Sequence, residues 1–201
     1  MSHLNLQPGQ TAVITGAASG FGLELARLGA QKGLNLVLTD VQQDALDKVV
    51  AELTAAGAQV AALRGDVSRG EDIQALADLC LERFGVPHIV INNAGVAYGG
   101  LIWEAGPRDW EWVLGVNLWG VIHGVRVFTP LMLAEARKNP AYQGHIVNVA
   151  SMAGMLNSPN LGVYNVSKHA VVRLSEPLYQ DLAPVTDQVH ASVLCPYFVP
   201  T

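Results

Sequence analysis

Six short apolar runs, separated by segments with helical spacing, constrain the fold of this chain more than any other feature. The runs have the length and content of buried strands, and they cover Thr11 to Thr15, Asn35 to Thr39, Gln59 to Leu63, His88 to Ile91, His145 to Ala150 and His190 to Leu194. The segments between them, such as the one from Ile73 to Phe84, place apolar residues on one helix face. This alternation predicts an α/β fold with a doubly wound, mostly parallel sheet and helices on both faces. Without a linker or internal repeat, residues 1–201 are expected to form a single domain.

Composition narrows the function classes. Half of the residues are hydrophobic and 14% are charged, which suits a buried parallel sheet. A net charge of -5 without a basic block argues against a nucleic acid partner. Two distant cysteines in apolar contexts indicate a reduced protein, and no metal-ligand spacing is present. Because the start lacks a signal peptide pattern and no run approaches the ~18 apolar residues of a membrane span, we expect a soluble, cytoplasmic protein.

A glycine-rich turn directly follows the first predicted strand and opens the first helix. It reads Thr-Gly-Ala-Ala-Ser-Gly-Phe-Gly over residues 15–22, at the place where backbone amides and a helix N-terminus can bind a pyrophosphate. Gly16 would allow the tight turn, Gly20 the approach of the cofactor, and Gly22 the close packing of helix on strand. Such a turn alone also fits an ordinary loop. It does not contain the Gly-x-Ser-x-Gly pattern of a serine hydrolase.

Asp40 ends the second predicted strand, about twenty residues after the glycines, where an acidic side chain can accept hydrogen bonds from an adenosine ribose. The same charge would repel a 2′-phosphate. Neither Ala17 and Ala18 in the turn nor Val41 after the acid supplies the cation that NADP requires, so NAD is preferred over NADP. A role for Asp40 as a strand-end or helix-capping residue is compatible with this interpretation.

Tyr164 and Lys168 are four residues apart, a spacing that places both side chains on one face of a helix. A free tyrosine hydroxyl titrates near ~10, and a fixed cation close by favours the phenolate, so the pair can act as an acid and base. In isolation the pair also fits a solvated helix surface. The longest helical candidate, from about Arg108 to Lys138, carries Asn117 in an apolar stretch, where the amide either has buried partners or caps or kinks the helix.

These pieces occur in a particular order, which is Thr15 to Gly22, Asp66 with Val67, Asn92 to Gly95, Asn117, Ser151, and Tyr164 with Lys168. In that order the chain resembles the short-chain dehydrogenase/reductase family from about Leu6 to Thr201. The resemblance implies a Rossmann-type sheet with strand order 3-2-1-4-5-6 and a seventh strand beyond the chain. It also implies an NAD(P)-dependent oxidoreductase acting on a secondary alcohol or ketone, and a homotetramer or homodimer.

The resemblance implies a catalytic tetrad of Asn117, Ser151, Tyr164 and Lys168. Tyr164 would exchange the hydroxyl proton with the substrate, and Ser151 would hydrogen-bond the same oxygen. Lys168 would hold the nicotinamide ribose and stabilise the tyrosinate, while Asn117 would hold a water that links Lys168 to solvent. Taken alone, Ser151 also fits a helix cap.

The resemblance assigns further positions to the cofactor. Asp66 would accept the adenine amine, and Val67 would form an apolar wall beside it. The complete set of expected cofactor residues is Gly16, Ser19, Gly20, Phe21, Gly22, Asp40, Asp66, Val67, Asn93, Ala94, Gly95, Tyr164, Lys168, Pro196, Val199 and Thr201. The segment from Asn92 to Gly95 fits an ordinary turn equally well.

Two departures from the family pattern stand out. Tyr197 occupies a position where the family usually has a glycine, which adds bulk beside the nicotinamide and substrate. The chain ends at Thr201, where relatives usually continue into a substrate loop and a final strand, so a C-terminal part is expected to be missing. Residues that would supply either an intersubunit surface or core are Trp112, Trp119, Val171, Val172 and Leu178. The alternative to an enzyme is a catalytically silent cofactor-binding regulator or scaffold.

Overall fold

Six parallel strands form one sheet in the computed structural model, which describes residues 6–197. The strands are β1 (Thr11–Thr15), β2 (Asn35–Asp40), β3 (Val60–Arg64), β4 (Ile89–Asn92), β5 (Gly144–Val149) and β6 (Val189–Leu194). Their order is β3-β2-β1-β4-β5-β6, and every neighbouring pair is parallel. The predicted fold and strand order are confirmed, and each predicted strand boundary lies within one residue of the observed one. The expected cofactor residues Val199 and Thr201 lie outside the described residues.

Helices cover both faces of the sheet. They are α1 (Gly20–Gln31), α2 (Gln43–Ala55), α3 (Gly70–Phe84), α4 (Pro107–Leu114), α5 (Gly120–Lys138) and α6 (Gly162–Leu182). Alternation along β1 separates two cores, because Val13 packs with residues of α3 and α5 while Ile14 packs with residues of α1 and α2. Burial of both faces explains why the strands are apolar throughout.

The helix predicted from Arg108 to Lys138 is interrupted by one wide turn. Between α4 and α5, residues Gly115–Trp119 form a π-helical turn in which the Gly120 amide donates to the Gly115 carbonyl, five residues back. Asn117 lies in this turn and is fully buried, so the structure shows a bulge in the helix and not a helix cap.

The continuous Pro107–Lys138 helix is long and apolar enough to cross a bilayer by length and composition, and it is the one such helix among the described residues. Its inner face carries Val121, Phe128 and Met132, each at most 2% exposed. Core helices of globular proteins pass the same test, and this helix packs on α3, β4 and β5 in that manner.

The carboxyl ends of the parallel strands meet at one edge of the sheet. Because β1 lies between β2 and β4, the chain reverses its winding direction there, and a crevice opens beyond the ends of these strands. The loops that follow β1, β2, β4 and β5 carry most of the predicted functional residues. The fold therefore brings segments distant in sequence to one place.

Candidate active site

The glycine turn after β1 is built without room for side chains. Gly16 has a φ of +64°, and a Cβ atom on it would lie 2.8 Å from the Ala94 Cα. A Cβ on Gly22 would lie 2.1 Å from the Gly16 carbonyl oxygen. The predicted tight turn at Gly16 and close helix packing at Gly22 are therefore what the backbone shows.

The N-terminus of α1 faces the crevice without a side-chain cap. The helix begins at Gly20, and Ser19 before it makes no capping hydrogen bond through its side chain. The first turn contains no acidic residue. First-turn amides that lack intrahelical partners, together with the positive end of the helix dipole, suit an anionic group such as a pyrophosphate.

Hydrogen bonds fix the loop after β4 beside the glycine turn. The Thr15 hydroxyl oxygen accepts from the amides of Asn93 and Ala94, each at 3.0 Å. The Asn93 side chain donates to the carbonyls of Thr15 at 2.9 Å and Gly16 at 3.3 Å. Asn93 and Ala94 thus line the crevice in a fixed position. Thr15 was not among the predicted site residues, although its place directly before Gly16 is a usable signal.

Asp40 connects the end of β2 to the glycine turn. One carboxylate oxygen accepts from the Ala18 amide at 3.0 Å, and the other accepts from the Gln42 amide at 3.0 Å. Asp40 is 8% exposed and borders the crevice. Asp40 therefore has a local structural role at the end of the strand, as the sequence also allowed. Each carboxylate oxygen keeps a further lone pair that a ribose hydroxyl could use.

Arg64 is a cation near this end of the crevice that the sequence argument for NAD did not consider. It is the register partner of Asp40 on β3. Its Nε donates to the Val41 carbonyl at 3.1 Å. The choice between NAD and NADP therefore depends on the balance of Asp40 against Arg64.

Asp66 and Val67 follow β3 and border the same crevice. One Asp66 oxygen accepts from the Ser68 amide at 2.9 Å and from the Ser68 hydroxyl at 2.7 Å. The other oxygen accepts no hydrogen bond within residues 6–197, so it is available to an amine. Val67 packs closely on Gly120, where a Cβ would lie 2.7 Å from the Val67 Cγ2. The two residues offer the acceptor and the apolar wall that were predicted.

Tyr164 and Lys168 lie one turn apart in α6, with the lysine Nζ 5.8 Å from the tyrosine ring centroid. Lys168 is 4% exposed, and its Nζ donates to the Val149 carbonyl at 3.0 Å. Burial lowers the pKa of Lys168 from 10.5 to about 8, because the charged form loses its hydration. With this pKa the Lys168 side chain is still mostly protonated near neutral pH, so a positive charge lies beside the Tyr164 phenol.

Asn117 connects the π-helical turn to the loop after β4 and to α6. Its oxygen accepts from the Val96 amide at 2.8 Å, and its nitrogen donates to the Val96 carbonyl and the Ser167 hydroxyl, both at 2.9 Å. The Ser167 hydroxyl donates in turn to the Tyr164 carbonyl at 2.7 Å. The side chain is therefore occupied by protein partners, and a water link to Lys168 stays a prediction.

Ser151 follows β5 and caps the short 3-10 helix Met152–Gly154. Its hydroxyl oxygen accepts from the Ala153 amide at 3.1 Å. The cap interpretation is confirmed, and the hydroxyl hydrogen is still free to be donated. Ser151 and Tyr164 border the same crevice.

A single cleft of about 1100 Å³ joins these elements. The predicted residues that line it are Gly16, Ser19, Gly20, Phe21, Gly22, Asp40, Asp66, Val67, Asn93, Ala94, Gly95, Ser151, Tyr164, Lys168 and Pro196. Asn117 is not among the lining residues and acts from behind Gly95, on which a Cβ would lie 3.4 Å from both the Asn117 oxygen and the Lys168 Nζ. Tyr197 also borders the cleft and is 73% exposed.

The charges along the cleft wall are few. Its acidic residues are Asp40, Asp66 and Glu111, and within residues 6–197 its one basic residue is Lys168. The described part of the chain contains no group of three or more His, Cys, Asp or Glu side chains that could hold a metal ion. The uncapped helix end, the glycine turn and the Asp40 carboxylate together fit a dinucleotide.

Comparisons with a family model, with solved structures and with curated proteins all give the same family. Residues 10–201 match the family model described as short chain dehydrogenase. A short-chain dehydrogenase/reductase from Burkholderia phymatum, solved in complex with NAD, has 54% sequence identity and a TM-score of 0.92, covering 96% of this chain and 67% of that one.

Two curated relatives are dehydrogenases. A CLA biosynthesis dehydrogenase/reductase from Lactiplantibacillus plantarum is 35% identical over 188 residues, which are 94% of this chain. A 1-deoxy-11-beta-hydroxypentalenate dehydrogenase from Streptomyces exfoliatus is 39% identical over 194 residues, or 96% of this chain. The chain spans 64% of the first relative and 68% of the second, so it corresponds to about two thirds of such proteins.

Proposed function

The chain belongs to the short-chain dehydrogenase family, and from that premise we propose that it transfers hydride between NAD and a secondary alcohol or ketone, with Tyr164 as the general acid and base. The observation that carries the proposal is the single cleft, which joins a dinucleotide cradle to Tyr164, Ser151 and Lys168. These three side chains and a bound dinucleotide supply the groups that the proposed reaction needs.

The residues of the cleft fit a dinucleotide along its length. The amides at the start of α1 would bind the pyrophosphate, Asp40 the adenosine ribose, and Asp66 the adenine amine. Lys168 would bind the nicotinamide ribose at the other end. The bound cofactor supplies the hydride acceptor or donor, and the protein supplies position and charge.

Tyr164 carries the proton step. In alcohol oxidation its phenolate would take the hydroxyl proton as the carbon loses hydride, and in ketone reduction its hydroxyl would return a proton to the oxygen. The Lys168 Nζ lies 5.8 Å from the centroid of the Tyr164 ring. The Ser151 hydroxyl would donate to the substrate oxygen and fix its position. Asn117 would hold the turn of α6 that carries Tyr164 through Ser167.

NAD is the proposed cofactor because the Asp40 carboxylate, at the end of β2, would repel the additional phosphate of NADP. Arg64 acts against this preference, but it is held through Nε on the Val41 carbonyl and is not a lining residue of the cleft. A relative solved with NAD supports the same choice.

The chain is also proposed to self-associate. Trp112 and Trp119 lie on the Pro107–Lys138 helix and are 50% and 51% exposed. Val171 and Val172 are buried, so of the residues considered from sequence these two belong to the core. A homotetramer or homodimer would cover the two indole rings.

A coenzyme-coupled screen tests the proposed activity. Purified protein would be mixed with NAD and a panel of secondary alcohols, and formation of the reduced cofactor would be followed by absorbance. We expect turnover with at least one neutral alcohol. Binding of NAD by calorimetry without turnover across a broad panel would favour the alternative of a silent cofactor-binding regulator.

A further inference from the structure

The segment between Ser151 and Tyr164 forms one wall of the cleft. The contacts that fix this wall are made by residues that do not line the cleft. Its lining residues include Leu156, Ser158 and Leu161. Residues 155–160 are all exposed, so packing on a core does not hold them in place. Something else must define the position of this wall.

Asn165, the residue after Tyr164, makes the contact that does so. It is 5% exposed, and its side-chain nitrogen donates to the Ser158 carbonyl at 2.9 Å. Its side-chain oxygen is buried and has no hydrogen-bond partner within the described residues. The hydrogen bond couples the wall to the helix turn of Tyr164.

A second loop is attached to the same wall. The Gly100 amide donates to the Asn160 carbonyl at 2.8 Å, and Gly100 forms a parallel bridge with Leu161. Asn160 has a φ of +60°, a left-handed conformation that asparagine adopts more readily than other non-glycine residues. Gly162 packs on Ile102, since a Cβ on Gly162 would lie 2.8 Å from the Ile102 Cδ1. The wall is therefore fixed at Ser158 and at Asn160.

We propose that Asn165 is a positioning residue that sets the affinity for the apolar substituent of the substrate by fixing the Leu156–Leu161 wall. The proposal rests on the proposed function, because it assigns specificity within that cleft. The segment from Ser151 to Leu161 contains no charged side chain, and Leu156 and Leu161 line the cleft, so an uncharged substituent with an apolar part fits this wall. Asn165 itself does not line the cleft, and it acts through Ser158.

Kinetics with two alcohols of different reach test the proposal. For Asn165→Ala we expect KM for 2-octanol to rise about five- to tenfold, the effect of losing one hydrogen bond. KM for 2-propanol, which is too short to contact the wall, and kcat for both alcohols are expected within about twofold of wild type. Asn165→Asp keeps the shape and suits the first turn of α6 but cannot donate to Ser158, so it is expected to give the same pattern.

The matched control is Asn35→Ala. Asn35 donates through its side chain to the Gly9 carbonyl at 2.9 Å, the same kind of contact at the opposite end of the sheet. This variant is expected to leave the KM of both alcohols unchanged. A KM for 2-octanol that stays at the wild-type value in both Asn165 variants would overturn the proposal, as would equal changes for the two alcohols.

Hydrogen exchange separates this proposal from the proposed function, because it needs no substrate. We expect exchange of the Gly100 amide, which donates to the Asn160 carbonyl of the wall, to become about five- to tenfold faster in Asn165→Ala and to stay unchanged in Asn35→Ala. Faster exchange in Asn165→Ala, together with a wild-type protein that turns over no alcohol, would retain the positioning role and reject the oxidoreductase. Unchanged exchange would reject the positioning role whether or not the enzyme is active.

Discussion

Lys168 is an ionisable residue placed where water hardly reaches, and its burial has a cost that depends on pH. Its pKa of about 8 lies below the ordinary value of 10.5, so the unfolded chain binds more protons than the folded one between these values. The folded state is therefore penalised below about pH 8, and stability from this group rises as pH goes from about 8 to 10.5.

Replacing Lys168 by Met removes this pH dependence. The free energy of unfolding of Lys168→Met, relative to that of wild type, is expected to be highest at pH 7. Between pH 7 and 10.5 the stability of wild type should increase relative to that of the variant by about 3 kcal/mol. Urea unfolding at several pH values measures it, with Lys48→Met on α2 as a control. A difference between the two proteins that is constant with pH would contradict the assigned pKa direction.

Asp40 is expected to determine the choice of cofactor. Asp40→Asn removes the charge and keeps one acceptor, so the ratio of the Kd values for NADP and NAD should fall about tenfold or more. Fluorescence titration with both reduced cofactors measures the ratio. In Asp40→Asn with Arg64→Gln, we expect part of the gained NADP affinity to be lost. An unchanged ratio in Asp40→Asn would show that this carboxylate does not face the 2′ position.

Local spacing made some of these residues predictable and others not. Tyr164 and Lys168 need only helix geometry to be recognised as neighbours. The partners of Asn117, by contrast, are 21 and 50 residues away in the sequence, and nothing in its local pattern names Val96 or Ser167. Arg64 was missed because its relation to Asp40 depends on strand register.

At the level of elements, a chain of buried polar contacts connects the central strands to α6. Asn92 on β4 donates to Asn148 on β5 at 2.9 Å, and Asn148 donates to Ser175 on α6 at 3.0 Å. Gly124 on α5 packs directly on this chain, since a Cβ there would lie 2.0 Å from the Asn92 oxygen. The strands that carry the cleft loops are therefore aligned by contacts that tolerate no additional atom.

Gly124→Ala is expected to destabilise the protein despite the better helix propensity of alanine. The inserted methyl group must displace buried Asn92 or shift α5, at a cost of roughly 2–4 kcal/mol in the free energy of unfolding. Gly115→Ala is the control, because its Cβ would meet only Ser68 at 3.4 Å. Urea denaturation of both variants measures the difference. Equal stability of the two would contradict the close packing.

The elements were predicted well where apolar periodicity alone decides them. Every predicted strand is present, with boundaries within one residue, since buried parallel strands are apolar throughout. The π-helical turn at Gly115–Trp119 was not predicted, because the contacts of Asn117 with the loop after β4 and with α6 leave no mark on the helical spacing.

At the level of the whole molecule, the proposed self-association rests on Trp119, which is half-exposed on the Pro107–Lys138 helix. Light scattering is expected to give a multiple of the chain mass of 21.4 kDa. Replacing Trp119 by Glu should reduce that mass, while Trp103→Glu, on the loop between β4 and α4, should not. A wild-type protein that stays at the chain mass at all concentrations would contradict self-association.

The sheet order follows from the family resemblance, and the resemblance also supplied the site as a set. Sequence reasoning could not decide which of the five apolar residues are exposed, namely Trp112, Trp119, Val171, Val172 and Leu178. Val171 and Trp119, for example, are both apolar residues in helical segments, but Val171 lies on the buried face of its helix and Trp119 on the exposed face of its own. Burial of a helix face is a property of the assembled fold.

The most direct test of the account compares Tyr164→Phe with wild type in two measurements on the same protein. Binding of reduced NAD, followed by fluorescence, should be retained with a Kd within about twofold, because the glycine turn, Asp40 and Lys168 are intact. Oxidation of a secondary alcohol should fall by at least about 10²-fold, since the proton acceptor is lost. Turnover within about tenfold of wild type in a variant that binds the cofactor normally would contradict the role of Tyr164.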